Sequence, residues 1–127
     1  MKNEKIIEWV LRIALAGEFF GHGVFSIQLK QRFLEMLEAM TGITGTAAAT
    51  IMKTIGFVDI GVAILALLKP LRIILIYASV WAFLTALARP IAGDPIWDFV
   101  ERWANVGIPL SLLLLRGLPK NLRELFS

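Results

Sequence analysis

The stretch Val10-Leu11-Arg12-Ile13-Ala14-Leu15-Ala16-Gly17-Glu18-Phe19-Phe20-Gly21-His22-Gly23-Val24-Phe25-Ser26 is apolar along most of its length, yet it carries an arginine, a glutamate and a histidine. A helix of about 20 such residues crosses the roughly 30 Å hydrocarbon core of a bilayer, and ionisable groups inside it face protein or water because lipid does not solvate them. The run predicts a membrane protein whose helices enclose a polar interior.

Composition points the same way. The chain has 127 residues, of which 57% are hydrophobic and 18% charged. Its mean hydropathy of +0.73 lies beyond that of an ordinary soluble domain. One histidine and no cysteine exclude disulfide chemistry, a cysteine-ligated metal and an iron–sulfur cluster held by this chain alone. The net charge is +3, but the basic residues sit at the ends of apolar runs. That is the pattern of membrane topology, so no nucleic-acid partner is expected. Met1 is followed by charges and a long apolar run with no small-residue cleavage motif, which argues against a removable signal peptide.

Outward from the first stretch, a first span is predicted over about 6–27, with Trp9 near an interface. Residues 28–40 place Phe33, Leu34, Met36, Leu37 and Met40 among Lys30, Arg32, Glu35 and Glu38 at roughly helical spacing, as in a short interfacial helix. Small and turn-forming residues fill 41–46, with Thr46 a candidate cap for a second span over about 46–68. Lys69-Pro70-Leu71-Arg72 makes a basic turn into a third span over about 71–88. Two prolines and a glycine in 89–95 end it. A fourth span, about 96–115, is polar in its first half and purely apolar from Ile108 to Leu115. The expected fold is all-α, a single transmembrane domain over 1–127 built as a four-helix bundle. Gly56 and Gly61 are the candidate points of close helix approach.

With both termini inside, the cytoplasmic flanks hold Lys2, Lys5, Lys69, Arg72, Arg116, Lys120 and Arg123, against Lys30, Arg32, Arg89 and Arg102 outside. The positive-inside rule favours that orientation.

The candidate site residues follow from helical spacing. Glu18 and His22 are i and i+4 and share one face, where they could pass a proton beside the oxygens of a quinone. The alternative role for this pair is joining helices. Arg12 and Asp59 both fall just inside the midplane of antiparallel helices and predict a direct bridge. Trp81, Thr85 and Arg89 form one stripe on the third span, and Asp98, Glu101 and Asn105, with Arg102 adjacent, form one on the fourth. If these stripes face Glu18 and His22, they close a polar pocket in the outer half for a flat amphipathic ligand. In that pocket Glu18 and His22 handle protons, Arg89 and Asn105 contact a headgroup, Trp81 is an aromatic wall, and Arg12, Asp59, Thr85 and Glu101 complete the binding set. Trp97, Asp98 and Trp103 read as interface anchors. No metal-ligand spacing is present, and haem on a lone His22 has no further support. The runs Phe33 to Met40 and Leu112 to Leu115 are expected to be surface-seated or lipid-facing.

Arg12, Ala14, Gly17, Phe19, Phe20, His22 and Gly23, with Asp59-Ile60-Gly61-Val62 and Lys69-Pro70-Leu71-Arg72 further on, resemble the pattern of the DoxX family of small four-helix membrane proteins. The pattern differs at Glu18, where that family has an apolar residue, and at Ser26, near which a lysine is common. The resemblance implies a four-helix bundle in the cytoplasmic membrane of a bacterium or archaeon. It also implies a link to thiosulfate:quinone oxidoreductase subunits or to membrane redox and thiol-stress assemblies. The chemistry expected here is thus that of a quinone-linked membrane subunit. Its bound cofactor would be a quinone and its partners the bilayer and either another protein or further copies of itself. Electron transfer would need a partner, since no residue here supplies a redox centre. The competing classes are a non-catalytic subunit or assembly factor that docks through 28–40 and, less favoured, a small transporter or channel.

Overall fold

Three segments of this chain are long and predominantly apolar, and in the computed structural model, which describes residues 2–127, each forms an uninterrupted helix. They are α1 (Glu4–Ile27), α3 (Gly45–Leu68) and α4 (Arg72–Ile91), all long and apolar enough to cross a membrane. Around them lie α2 (Gln31–Thr41), α5 (Ile96–Val100), α6 (Trp103–Arg116) and α7 (Leu122–Leu125). Of the described residues 81% are helical and none is in a strand. Only 33%, 33% and 28% of the three spanning windows is buried, so most of each turns outward. Ile13, Phe57 and Val80 are among the large apolar side chains left exposed, a surface suited to lipid rather than water.

The segment 96–115 is not one helix. It breaks at Glu101 and Arg102, where Arg102 leaves the helical region (φ −92°, ψ 5°) and the turn closes through shorter-range bonds, Arg102 N–H to Phe99 C=O and Asn105 N–H to Arg102 C=O. Pro109 then deprives the Asn105 carbonyl of its usual donor. The remaining 14 residues of α6 rise about 21 Å, short of a bilayer core. The third span instead runs on to Ile91, with Pro90 inside its last turn, where it withholds a donor from the Ala86 carbonyl. The helix stops only where Gly93 takes a positive φ of 100°.

Packing is antiparallel, and its register is set by glycine. Gly23 of α1 and Gly56 of α3 press backbone to backbone: a Cβ on Gly23 would lie 2.8 Å from the Gly56 carbonyl oxygen, and one on Gly56 2.7 Å from that of Gly23. Gly61, expected to share this role, has open space around it. The partner of Gly56 comes from the opening stretch.

The end of the molecule where α1 begins, here the basal end, is closed by arginines. Arg12 donates to the carbonyls of Ala66 (2.8 Å) and Leu67 at the C-terminus of α3, and its guanidinium lies 3.9 Å from the Trp9 ring centroid. Arg72 does the same for α6 through Gly117 (2.7 Å) and Arg116, and also reaches Ser127. Arg116 pairs with Glu8 at 3.7 Å. A helix leaves its last four carbonyls unsatisfied and slightly negative, so a guanidinium placed there meets both needs. Above these caps is an apolar core of Leu15, Phe19, Val62, Ala66, Leu75 and Leu112.

At the opposite, apical end the chain turns at Leu29, whose φ of 56° is rare for a bulky residue. α2 folds back across α3 and α4. Gly42, at φ 77°, ends α2 in the left-handed conformation that glycine adopts most readily. Thr46 does not cap α3. Thr44 holds that position without a side-chain bond, and the Thr46 carbonyl instead accepts from the Thr50 hydroxyl. Arg32 ties α2 to the end of α4 through Asp94 and the Ala92 carbonyl, and it also bonds Glu35 at 3.1 Å. Those bonds, to Glu35 first and then Asp94, raise the Arg32 guanidinium above its already high ordinary pKa.

Candidate functional site

Between α1, α2, α3 and α4 at the apical end lies a cavity of about 180 Å³. Its walls are mostly apolar: Phe33, Met36, Leu37 and Met40 from α2, Met52 and Ile55 from α3, Leu84 and Ala88 from α4. Polar groups enter from one side, where His22, Ser26, Trp81 and Thr85 line it. His22 stacks on Phe33 with ring centroids 4.9 Å apart and an interplanar angle of 26°. Ser26 is buried and gives its hydroxyl hydrogen to the His22 carbonyl at 2.8 Å, so it helps fix this turn of α1.

A smaller recess continues from the same wall. Glu18, Phe19, His22, Trp81, Ala82 and Thr85 line it. The structure therefore brings Trp81 and Thr85 to Glu18 and His22, across the α1–α4 gap. Glu18 Oε2 and Trp81 Nε1 are buried there with no hydrogen-bond partner. Such groups are costly to leave unmatched, which makes the recess chemically unfinished.

Asp59 lies just beyond. It is fully buried, neither carboxylate oxygen has a hydrogen-bond partner, and its charge acts on Glu18 and on Tyr77. The bridge expected from Arg12 to Asp59 is absent. The register that puts Gly23 on Gly56 and Arg12 on Ala66 sets Arg12 about 10 Å along the helix from Asp59, seven residues at roughly 1.5 Å each. Arg12 is accordingly a cap for α3 and lies outside the cavity.

The other expected contacts separate from the cavity as well. Arg89, half-buried with an unpartnered Nε, lies 5.9 Å from the Phe33 ring centroid and acts on His22 through its charge, but it does not line the cavity. Glu101 is exposed beside Arg102, and Asn105 is half-buried in the first turn of α6; neither reaches it. The break at Glu101–Arg102 turns that stripe aside, so the polar wall expected from 98–105 is replaced by the apolar face of α2. Phe33 and Met36 are buried rather than surface-seated, and Leu112 and Leu113 are core residues, while Leu114 and Leu115 do face outward. Of four tryptophans, Trp9, Trp97 and Trp103 are exposed and Trp81 turns inward.

No family model, curated protein or solved structure matches this chain. What the cavity can do therefore rests on its own residues. No group of three or more histidine, cysteine, aspartate or glutamate side chains is placed to hold a metal among the described residues. Three of the four methionines line the cavity instead. Their flexible, polarizable side chains adapt to a ring inserted among them. The sequence held a signal for this lining: Met36 and Met40 share a face at i and i+4, and Met52 lies within the next apolar run.

Proposed function

We propose that this chain is a DoxX-like, multi-pass protein of a prokaryotic cytoplasmic membrane whose apical cavity binds the headgroup of a quinone within a membrane redox assembly. In this view α1, α3 and α4 span the bilayer, α5 and α6 together serve as the fourth member of the bundle, and α2 lies at the interface. Both termini face the cytoplasm. Seven basic residues flank the basal side, or eight with Arg12, and the apical count of four rises to five with exposed Lys53.

The observation that carries this proposal is a cavity with methionine and phenylalanine walls and one polar wall of His22, Trp81 and Thr85, backed by the unpartnered Glu18. Its size supports one ring. An apolar cavity of about 150 Å³ accommodates benzene, whereas a whole drug-sized molecule needs roughly 300 Å³ or more. The headgroup would sit between Phe33 and Trp81 with an oxygen toward His22, and the isoprenoid tail would leave past exposed Met40.

The test is a titration with a short-chain ubiquinone. In a variant carrying Trp9→Phe, Trp97→Phe and Trp103→Phe, fluorescence comes from Trp81 alone. Saturable quenching that weakens at least tenfold when His22→Ala is added supports the proposal. Quenching that never saturates and ignores His22 contradicts it, and leaves a subunit or assembly factor that uses α2 to dock a partner.

A further inference from the structure

Two cations meet at one buried phenylalanine of the apical end, and neither has an acid of its own. Lys30 Nζ lies 5.3 Å from the Phe33 ring centroid and 4.4 Å from that of Phe25, and the Arg89 guanidinium carbon lies 5.9 Å from that of Phe33. Groups at those distances from one ring are at most about 11 Å apart, a gap that two long side chains can close around a single tetrahedral anion. Both backbones are held in place. The Lys30 N–H donates to the Phe25 carbonyl (3.0 Å) and the Lys30 carbonyl accepts from Phe33 (2.9 Å) and Leu34 (3.2 Å), while the Arg89 carbonyl accepts from the Asp94 N–H at 3.0 Å. Among the described residues neither side chain makes a hydrogen bond or an ion pair, and Arg89 Nε is buried. The acid nearest Arg89 in the chain, Asp94, is taken by Arg32, which also holds Glu35. Asp94 and Asp98 reach Arg89 only as more distant charges, and Arg102 and Arg32 oppose them. Arg12, Arg72 and Arg116 each hold a carbonyl or a carboxylate, and Arg102 reaches Glu101 at 4.0 Å. Arg89 is the half-buried arginine that the fold leaves without an acceptor.

We infer that Lys30 and Arg89 form an oxyanion site on the apical surface, separate from the cavity, and that it takes a phosphate group, carried by an anionic lipid headgroup or free in solution. A phosphate oxygen supplies what Phe33 and Phe25 do not. Ring faces attract a cation weakly, whereas a charge-assisted bond also satisfies the buried Arg89 Nε–H. One anion between the two side chains also offsets the repulsion of like charges gathered at one ring. The two residues differ in what they offer. Arg89, half-buried in the last turn of α4, presents a planar fork of N–H groups, and exposed Lys30 adds a mobile charge at the rim. The surroundings suit a lipid: Phe25, the second ring beside Lys30, is 46% exposed, so an acyl chain attached to that phosphate meets apolar surface at once. Neither Lys30 nor Arg89 lines the cavity, and the site stands whether or not a quinone binds there.

Native mass spectrometry of the protein in a neutral detergent, titrated with phosphatidylglycerol and separately with phosphatidylcholine, tests the site. Phosphatidylcholine carries the same phosphate beside a choline cation that the pair repels. The expected result is one retained phosphatidylglycerol, bound at least tenfold more tightly than phosphatidylcholine. Lys30→Gln should cut that preference at least threefold, and Lys30→Gln combined with Arg89→Gln should abolish it. Should the double variant not fold, Lys30→Glu at its exposed position takes its place and must abolish the preference. Inorganic phosphate is the second arm. A lipid that millimolar phosphate does not displace identifies the headgroup as the occupant; equal retention of the two lipids, with phosphate binding that is lost in the double variant, identifies the free ion. Equal retention with no phosphate binding would overturn the site, as would a lipid preference that survives the substitutions. Quenching of Trp81 by the short-chain ubiquinone should persist in Lys30→Gln, so failure of one titration does not decide the other.

Discussion

At the basal end Arg12, Arg72 and Arg116 each find an acceptor on another helix, with Arg116 Nε alone among them left buried and unpartnered, whereas from the middle of the bundle to the apical end Glu18, Asp59, Trp81 and Arg89 each keep a buried polar atom without a partner. The two sets sit in the same bundle of helices, one made of arginines and the other mostly of carboxyl and aromatic side chains. Geometry separates them further. Helix C-termini present carbonyls to arginines at the base, while at the apex α2 is held off the α1–α4 gap and a cavity remains. Satisfied polar groups rigidify a fold, and unsatisfied ones beside a cavity mark the place where something else completes them.

The contrast breaks most completely if the helices can no longer meet. Gly56→Leu would drive a side chain into the Gly23 carbonyl and the Ile27 side chain. A loss of about 3 kcal/mol or more is expected, read as failure to recover monodisperse protein from detergent. Arg72→Ala comes next. It frees acceptors on Arg116, Gly117 and Ser127, and about 2 kcal/mol of stability should go with them. Thermal unfolding in detergent would show this, and quinone quenching of Trp81 in the folded remainder should be unchanged. The apical substitutions should invert that pattern. His22→Ala and Glu18→Gln are expected to shift stability by less than about 1 kcal/mol while abolishing ligand retention, since neither removes a hydrogen bond the fold depends on. The smallest effect belongs to Arg32→Ala, which loosens α2 from the end of α4. Hydrogen exchange in α2 should rise, and high salt should mimic part of the change in the wild type.

Much of this fold was legible in the sequence because membrane physics restricts it. Long apolar segments ending at basic or proline-rich turns can only be helices, and α1, α3 and α4 match the predicted spans to within a few residues. The break in 96–115 was harder to foresee. Asp98, Glu101 and Arg102 can sit on a continuous helix or interrupt one, and spacing alone does not distinguish the two. The neighbours of Glu18 and His22 on α4 were visible, since Trp81 and Thr85 recur at i and i+4. The apolar roof was not. An amphipathic helix such as α2 buries its apolar face against lipid or against protein, and only the Leu29 turn decides which. Arg12 shows the same gap: a charge inside a span needs a partner, and two turns of register decide whether that partner is a carboxylate or a helix end.

The most direct test of an incomplete apical site is what the protein carries when it leaves the membrane. Gently purified wild type and the Glu18→Gln and His22→Ala variants would be extracted into organic solvent, and the extracts compared by mass spectrometry. A quinone retained in stoichiometric amount by the wild type and lost from both variants is the predicted result. A species retained equally by all three, or no quinone in any of them while all remain folded, would contradict it.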